Sequence, residues 1–149
     1  MSIKQELHQH YQQLVQDRID IFRDMIAALT EDSKNDAKGS AGDKHETALS
    51  MMHIEQEKLN SKLKECLDQK AIFDRIDPTQ IHNKAALGSL VTTNKLTVYI
   101  STALPKITFQ NQNIFAISPQ SPLAEKLLGN QVGFEFDING VQYNILKIE

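Results

Sequence analysis

Five carboxylates fall within sixteen residues of this chain: Glu31, Asp32, Asp36, Asp43 and Glu46, with Lys34, Lys38 and Lys44 among them. Asp43 and Glu46 are three apart, so on a helical turn they share one face. Two such carboxylates suit a Mg²⁺ ion, which takes one or two protein carboxylates and fills its remaining positions with water and substrate oxygens. An ion held there would activate water or stabilise charge during phosphodiester hydrolysis. The same residues also read as a capping box, in which Asp43 caps a helix and Glu46 reaches back to the cap amide. The two readings are compatible, because a capping pair on an exposed turn stays free to meet a metal held by another protein.

Other reactive side chains fall into duller patterns. Cys66 lies on an apolar helical stripe with Met52 and Leu59 and reads as a small core residue. His8 and His10 are two apart, a spacing that points them in different directions on a helix. His53 and His82 have no metal-ligand spacing and read as solvated. Arg18 sits on an apolar stripe, where it would snorkel or pair. No glycine-rich phosphate loop and no aromatic platform for single strands is present. A formal net charge of -3 and a pI near 5.9 argue against wrapping duplex DNA, while leaving room to dock on a large basic assembly. No apolar run approaches a membrane span, the N-terminal stretch lacks a signal-peptide core, and a single cysteine fits a reducing cytoplasm.

The elements that must position the acids follow from periodicity. Leu7, Tyr11, Leu14, Arg18, Ile21 and Met25 step by four and three, the spacing of a coiled-coil seam, widened by Val15, Phe22 and Leu29. Met52, Leu59, Cys66 and Phe73 recur every seven residues, joined by Ala48 and Leu63. Thr30–Glu46 holds no large apolar residue, and its stretch to Gly42 has turn chemistry. The spacing predicts helices near 3–30 and 44–76, packed antiparallel, each arm roughly 40 Å long at about 1.5 Å per residue. The acids would then occupy a tip near 31–46. All four prolines lie beyond residue 76, so the chain is expected to divide near Asp77-Pro78 into a hairpin, 1–76, and a second domain, 77–149.

That second half reads as an antiparallel sheet with one short helix, an α+β arrangement. Leu96–Ile100, Ile107–Phe109 and Ile114–Ile117 are short β-prone runs. Ser121-Pro122 supplies a helix cap and a first-turn proline ahead of Leu123–Leu128, and Gly129 stops the helix. Phe134, Phe136 and Ile138 alternate with polar residues before Asn139-Gly140, and Val141, Tyr143 and Ile145 alternate on the return. Asn-Gly between alternating runs is a strong hairpin signal.

Two separated segments resemble the Gre-type bacterial transcription factors. Gly42-Asp43-x-x-Glu46 is similar to that family's Gly-Asp-Leu-Ser-Glu tip. Ile117-Ser118-Pro119-Gln120-Ser121-Pro122-Leu123-Ala124, Leu127-Leu128-Gly129, Gly133 and the closing Tyr143-Asn144-Ile145-Leu146-Lys147-Ile148 resemble its C-terminal domain, which is FKBP-like in fold. Together they frame nearly the whole chain. The resemblance implies a factor without chemistry of its own, whose hairpin enters the secondary channel of bacterial RNA polymerase. Asp43 and Glu46 would help hold a Mg²⁺ shared with the polymerase, acting indirectly on the nascent RNA 3′ end as the polymerase cuts a backtracked transcript. No tightly bound cofactor, membrane or duplex DNA partner is implied. Ser121 and Pro122 fall where the C-terminal domain is expected to meet the polymerase. This chain departs from the pattern at Lys44-His45, between the acids, at Ser50, at its first seven residues and at Phe134. A non-cleaving regulator of the same build and an FKBP-like prolyl isomerase are the alternative readings.

Overall fold

The computed structural model describes residues 1–39 and 43–149, with side chains described outside 33–46. The architecture is α+β: two long helices, α1 (Ile3–Gly39) and α2 (Asp43–Arg75), precede a six-stranded sheet with one short helix. α2 stops where Asp77-Pro78 requires it to. α1 runs past the expected end near residue 30 and through the acidic stretch. The reason is compositional. Thr30–Lys38 contains neither glycine nor proline, and its polar residues each cost well under about 1 kcal/mol in a helix. Thr30 also returns its hydroxyl proton to the carbonyl of Ile26, at 2.9 Å, within the helix.

The chain forms two compact units, Met1–His10 with Ile72–Glu149, and Tyr11–Ala71. The division therefore falls inside both helices, not at residue 76. The first turns of α1 and the last turn of α2 carry residues whose partners lie in the sheet, and they belong with it.

In the helical unit the antiparallel pairing is fixed at both ends by cross-helix neighbours. Gln56 donates to the Thr30 hydroxyl at 3.2 Å, while Arg18 and Phe22 line a groove with Lys62, Glu65, Cys66 and Gln69. The seven-residue stripe of α2 is realised: Leu59 and Cys66 are buried and Met52 and Leu63 half-buried. On α1 the buried line runs Tyr11–Val15–Ile19 and continues through half-buried Phe22, Ile26 and Leu29. Ile21 and Met25, expected on the seam, are exposed. An unbroken four-residue step drifts round a 3.6-residue helix by about 40° each time, so the buried line winds along α1 and selects Ile19 in place of Arg18.

The sheet unit orders its strands β3-β4-β2-β1-β6-β5. They are β1 (Leu90–Thr93), β2 (Thr97–Ile100), β3 (Leu104–Phe109), β4 (Gln112–Ile117), β5 (Glu135–Ile138) and β6 (Val141–Ile148). The sheet is mixed, not wholly antiparallel: β2 and β4 run parallel, Thr97 opposite Ile114 and Ile100 opposite Ile117. From β2 the chain crosses to the outer position, forms β3, and hairpins back as β4 into the gap beside β2. β1 has no counterpart among the expected strands. Its four residues, Leu-Val-Thr-Thr, are almost wholly buried on both faces, so they lack the alternation that marks a half-buried strand.

The helix α3 spans Pro122–Leu127 and packs Leu127 into a core with Val91, Val98, Ile100, Phe136 and Ile145. Pleating sends Tyr99, between Val98 and Ile100, to the opposite face. At Asn139-Gly140 and again at Gln110-Asn111 two-residue loops have positive φ at both positions, the geometry that suits the twist of the flanking strands.

Gly88 is the most constrained backbone position. Its φ is +89, its N–H donates to the Ile100 carbonyl at 2.7 Å, and an added Cβ would lie 2.8 Å from Cγ2 of Ile76. Gly133 has a similar φ of +94 with nothing within 4 Å. Gly133→Ala is expected to cost about 1 kcal/mol of stability from backbone strain alone. Gly88→Ala should cost about 1–3 kcal/mol more from overpacking. Denaturant midpoints for the pair measure the difference, and equal losses would show that Ile76 yields freely.

Candidate functional site

Two places carry the chemistry the sequence singles out, the start of α2 and the start of α3, and the structure adds a third, a buried polar cluster at the base of the helices. Asp43 opens α2, and Glu46 falls three positions on, within the first turn. Their side chains lie outside the described residues, as do those of Asp36, Lys44 and His45. The link itself is shorter than expected, since only residues 40–42 separate the two helices.

At α3 the expected cap is present and separates the roles of Ser121 and Pro122. Ser121 takes extended backbone angles (φ -67, ψ 152), and its Oγ accepts from the Ala124 N–H at 3.3 Å. The same hydroxyl donates to the Ser118 carbonyl at 2.8 Å. Both of its hydrogen-bonding functions are thus spent locally, and Ser121 builds the helix start. Pro122 occupies the first helical position, where a missing N–H costs nothing, and its ring is exposed. Of the two, Pro122 is the residue a partner can touch.

The third place was missed by spacing. His8 is only 3% exposed and its Nδ1 lies 2.8 Å from the Tyr99 hydroxyl. Its ring meets Phe73 edge-on, centroids 5.4 Å apart, and Phe73 stacks on Tyr99 at 6.5 Å. Beside it the buried Lys4 ammonium donates to the carbonyls of Gln80, at 2.7 Å, and Glu149, at 2.9 Å. Burial lowers the pKa of His8, opposed by a hydrogen bond to the Phe73 backbone and by Asp74 and Asp77. Burial likewise lowers Lys4, while Glu149 and Asp77 pull it back up. Tyr99 is raised by burial alone, so its phenol stays protonated. A neutral imidazole sharing one proton with a neutral phenol, walled by an aromatic ring, is a structural lock. The pair joins helix to sheet.

The remaining candidates resolve simply. Cys66 is buried and its thiol is pushed up by that burial, with Arg18 acting in the opposite sense, which makes it a core residue. His82, expected in solvent, is half-buried with Nδ1 2.8 Å from the Ser89 hydroxyl. His53 is exposed. Among the described residues no group of three or more His, Cys, Asp or Glu side chains is placed to hold a metal. No described helix is long and apolar enough to cross a membrane.

The fold defines the class: an α+β protein of two long helices and a mixed six-stranded sheet with one capped helix. No protein-family model matches the chain, and no curated protein matches it. Among solved structures it is similar to the transcription factor Gfh1, at 18% identity, over 92% of each chain, with a TM-score of 0.36. A likeness at that identity and score carries nothing about activity.

The lock has a signed pH dependence. His8 has a folded pKa below its ordinary 6.5, so the unfolded chain binds the extra proton first. Its contribution to stability is complete above pH 6.5 and is lost as pH falls through the lower folded value. Asp77, lowered chiefly by hydrogen bonds from Thr79, acts in the same direction only below its ordinary 3.8. Unfolding free energy should therefore decline on acidification in a first step starting near 6.5. That step should shrink in His8→Asn to the part contributed by His82, which burial also lowers from 6.5, while the lower one remains. A His8→Asn profile that keeps the upper step undiminished would assign it to His82 alone.

Proposed function

We propose that this chain is a bacterial RNA polymerase secondary-channel factor. In this reading it presents Asp43 and Glu46 to the polymerase active site and stimulates cleavage of backtracked transcripts there. The observation that carries the reading is the position of the matched tip motif. Gly42-Asp43-x-x-Glu46 coincides in sequence with the start of α2 at Asp43, shortly after α1 ends at Gly39. The second matched segment opens the capped helix of a sheet unit, as the resemblance implies.

The chemistry required of the chain is modest. A Mg²⁺ ion shared with the polymerase would supply charge stabilisation and an activated water to the phosphodiester. Asp43 and Glu46 would contribute hard anionic oxygens to it, three residues apart in the first turn of α2. Lys44 and His45 stand between them in sequence and oppose that negative charge. A regulator that occupies the channel without promoting cleavage is therefore the second reading. The prolyl isomerase alternative is disfavoured by a specific observation. Phe134, Phe136 and Tyr143 stack on one another, with centroids 5.9 and 5.2 Å apart, and Phe136 is spent in the core, so of the three only Phe134 lines the cleft beside it.

Asp43→Asn with Glu46→Gln should abolish transcript cleavage by a stalled polymerase complex while leaving polymerase binding nearly unchanged. Asn caps a helix about as well as Asp, so the melting temperature should move little, by the equivalent of about 1 kcal/mol or less. Loss of metal-ligand charge instead removes several kcal/mol of transition-state stabilisation, roughly. Cleavage that survives the double substitution would leave the acids as a helix cap. A wild-type chain that binds and never stimulates cleavage would select the regulator.

Pro122→Asp should weaken co-purification with polymerase and leave the fold intact, because an acid is tolerated in the first turn of a helix. Unchanged binding at an unchanged melting temperature would exclude Pro122 from the docking surface.

A further inference from the structure

The two edges of the sheet are unlike. Strand β3 carries Pro105 and Lys106, and its pairing with β4 shifts register between Leu104 and Ile107. Proline, lysine and an irregular register are the devices by which proteins close an edge against another strand. β5 has no proline, no lysine and no register shift, and the charges on its four residues are two carboxylates, which oppose an acidic strand and suit a basic one. Its sequence is Glu-Phe-Asp-Ile, and it pairs with β6 without a register shift from Glu135 opposite Asn144 to Ile138 opposite Val141.

Hydrogen-bond alternation fixes which groups face outward. Ile145 N–H donates to the Phe134 carbonyl at 3.0 Å, on the β6 side. In an antiparallel pair successive residues alternate, so Phe136 and Ile138 direct their backbone groups to β6, as the Phe134 carbonyl does, while the Phe134 N–H donates to the Gln131 carbonyl at 3.1 Å. Glu135 and Asp137 direct theirs away from it, along the open edge. The side chains alternate as well. Glu135 and Asp137 are exposed on one face, while the other begins with Phe134, 40% exposed, beside Val132, 57% exposed. Next to these two lies a cleft of about 380 Å³ that Lys84, Asn130 and Gln131 complete.

We propose that the β5 edge is a strand-addition site for an extended segment of a partner protein in which Lys or Arg alternates with apolar residues. The backbone groups of Glu135 and Asp137 supply the ladder. Their carboxylates select cations on one face of the incoming strand. Phe134 and Val132 receive apolar side chains on the other, and Lys84 at the cleft repels a cation placed there. The charges also decide against the simplest alternative occupant, a second copy of this chain. Two β5 edges paired antiparallel would set Glu135 and Asp137 against the same carboxylates on the partner's face, and like charges opposite one another destabilise a strand pair. The site is independent of the hairpin and of the proposed role of Asp43 and Glu46.

The test uses the full chain and a synthetic seven-residue peptide alternating lysine with valine. Peptide addition should slow hydrogen exchange of the Glu135 and Asp137 amides. A peptide N-methylated at alternate nitrogens has the same charge and cannot complete the ladder, so it should not bind. The double variant Glu135→Lys, Asp137→Lys should bind the parent peptide about tenfold more weakly or worse, with an unchanged melting temperature. Absence of binding, equal binding of the methylated peptide, or protection confined to another part of the sheet would each overturn the proposal. So would protection of these two amides that rises with protein concentration alone, which would identify a second copy as the occupant.

Discussion

A strand buried on both faces governs the sheet unit. β2 has four residues and exposes none of them. Val98 and Ile100 face the core that Leu127 completes, while Tyr99 faces His8 and Phe73. Neither face could be left open without exposing large apolar or aromatic surface, which is worth about 25 cal/mol for each Å² removed from water. The short helix α3 covers one side. The N-terminal turns of α1 and the last turn of α2 cover the other, and this is why residues more than sixty apart in sequence belong to one compact unit.

The polar groups at that second interface convert a greasy contact into a specific one. A buried imidazole and a buried phenol each cost free energy unless paired, and each satisfies the other at 2.8 Å. Lys4 spends two of its three ammonium protons on carbonyls from Gln80 and Glu149, which ties the start of α1 to the segment after α2 and to the end of β6. Rotating α1 by one residue would strand all of these groups at once. The helical unit is built on a thinner principle. Its seam is narrow, mixes Leu59, Cys66 and Ile19 with half-buried Arg18 and Gln56, and leaves Ile21, Met25 and Ile54 in solvent. Stability there rests on helix continuity as well as on burial, and the absence of any breaker between Thr30 and Lys38 supplies it.

Function, on the proposed reading, uses positions that the core does not need. Pro122 is exposed while Ser121 holds the helix start, so contact and structure are divided between neighbours. β5 lies at the end of the strand order, where a ladder has one free side.

By itself the sequence determined what local chemistry can determine. The seven-residue stripe of α2, the stop before Asp77-Pro78, the Ser121 cap and the Asn139-Gly140 hairpin were all legible, because each depends on residues within a turn or two of one another. The α+β class followed from them. What remained for the tertiary structure was every choice made by a distant partner. Whether Ile19 or Ile21 faces inward depends on where α2 lies. β1 carries no alternation because both its faces are covered by other strands' neighbours and helices. The parallel pairing of β2 with β4 joins strands whose own hairpin partners are antiparallel. His8 looked like a stray histidine beside His10, and only the fold brings Tyr99, ninety-one residues away, to within hydrogen-bonding distance of it. Periodicity reports which side of an element avoids water; the identity of the surface that meets it is a property of the folded chain alone.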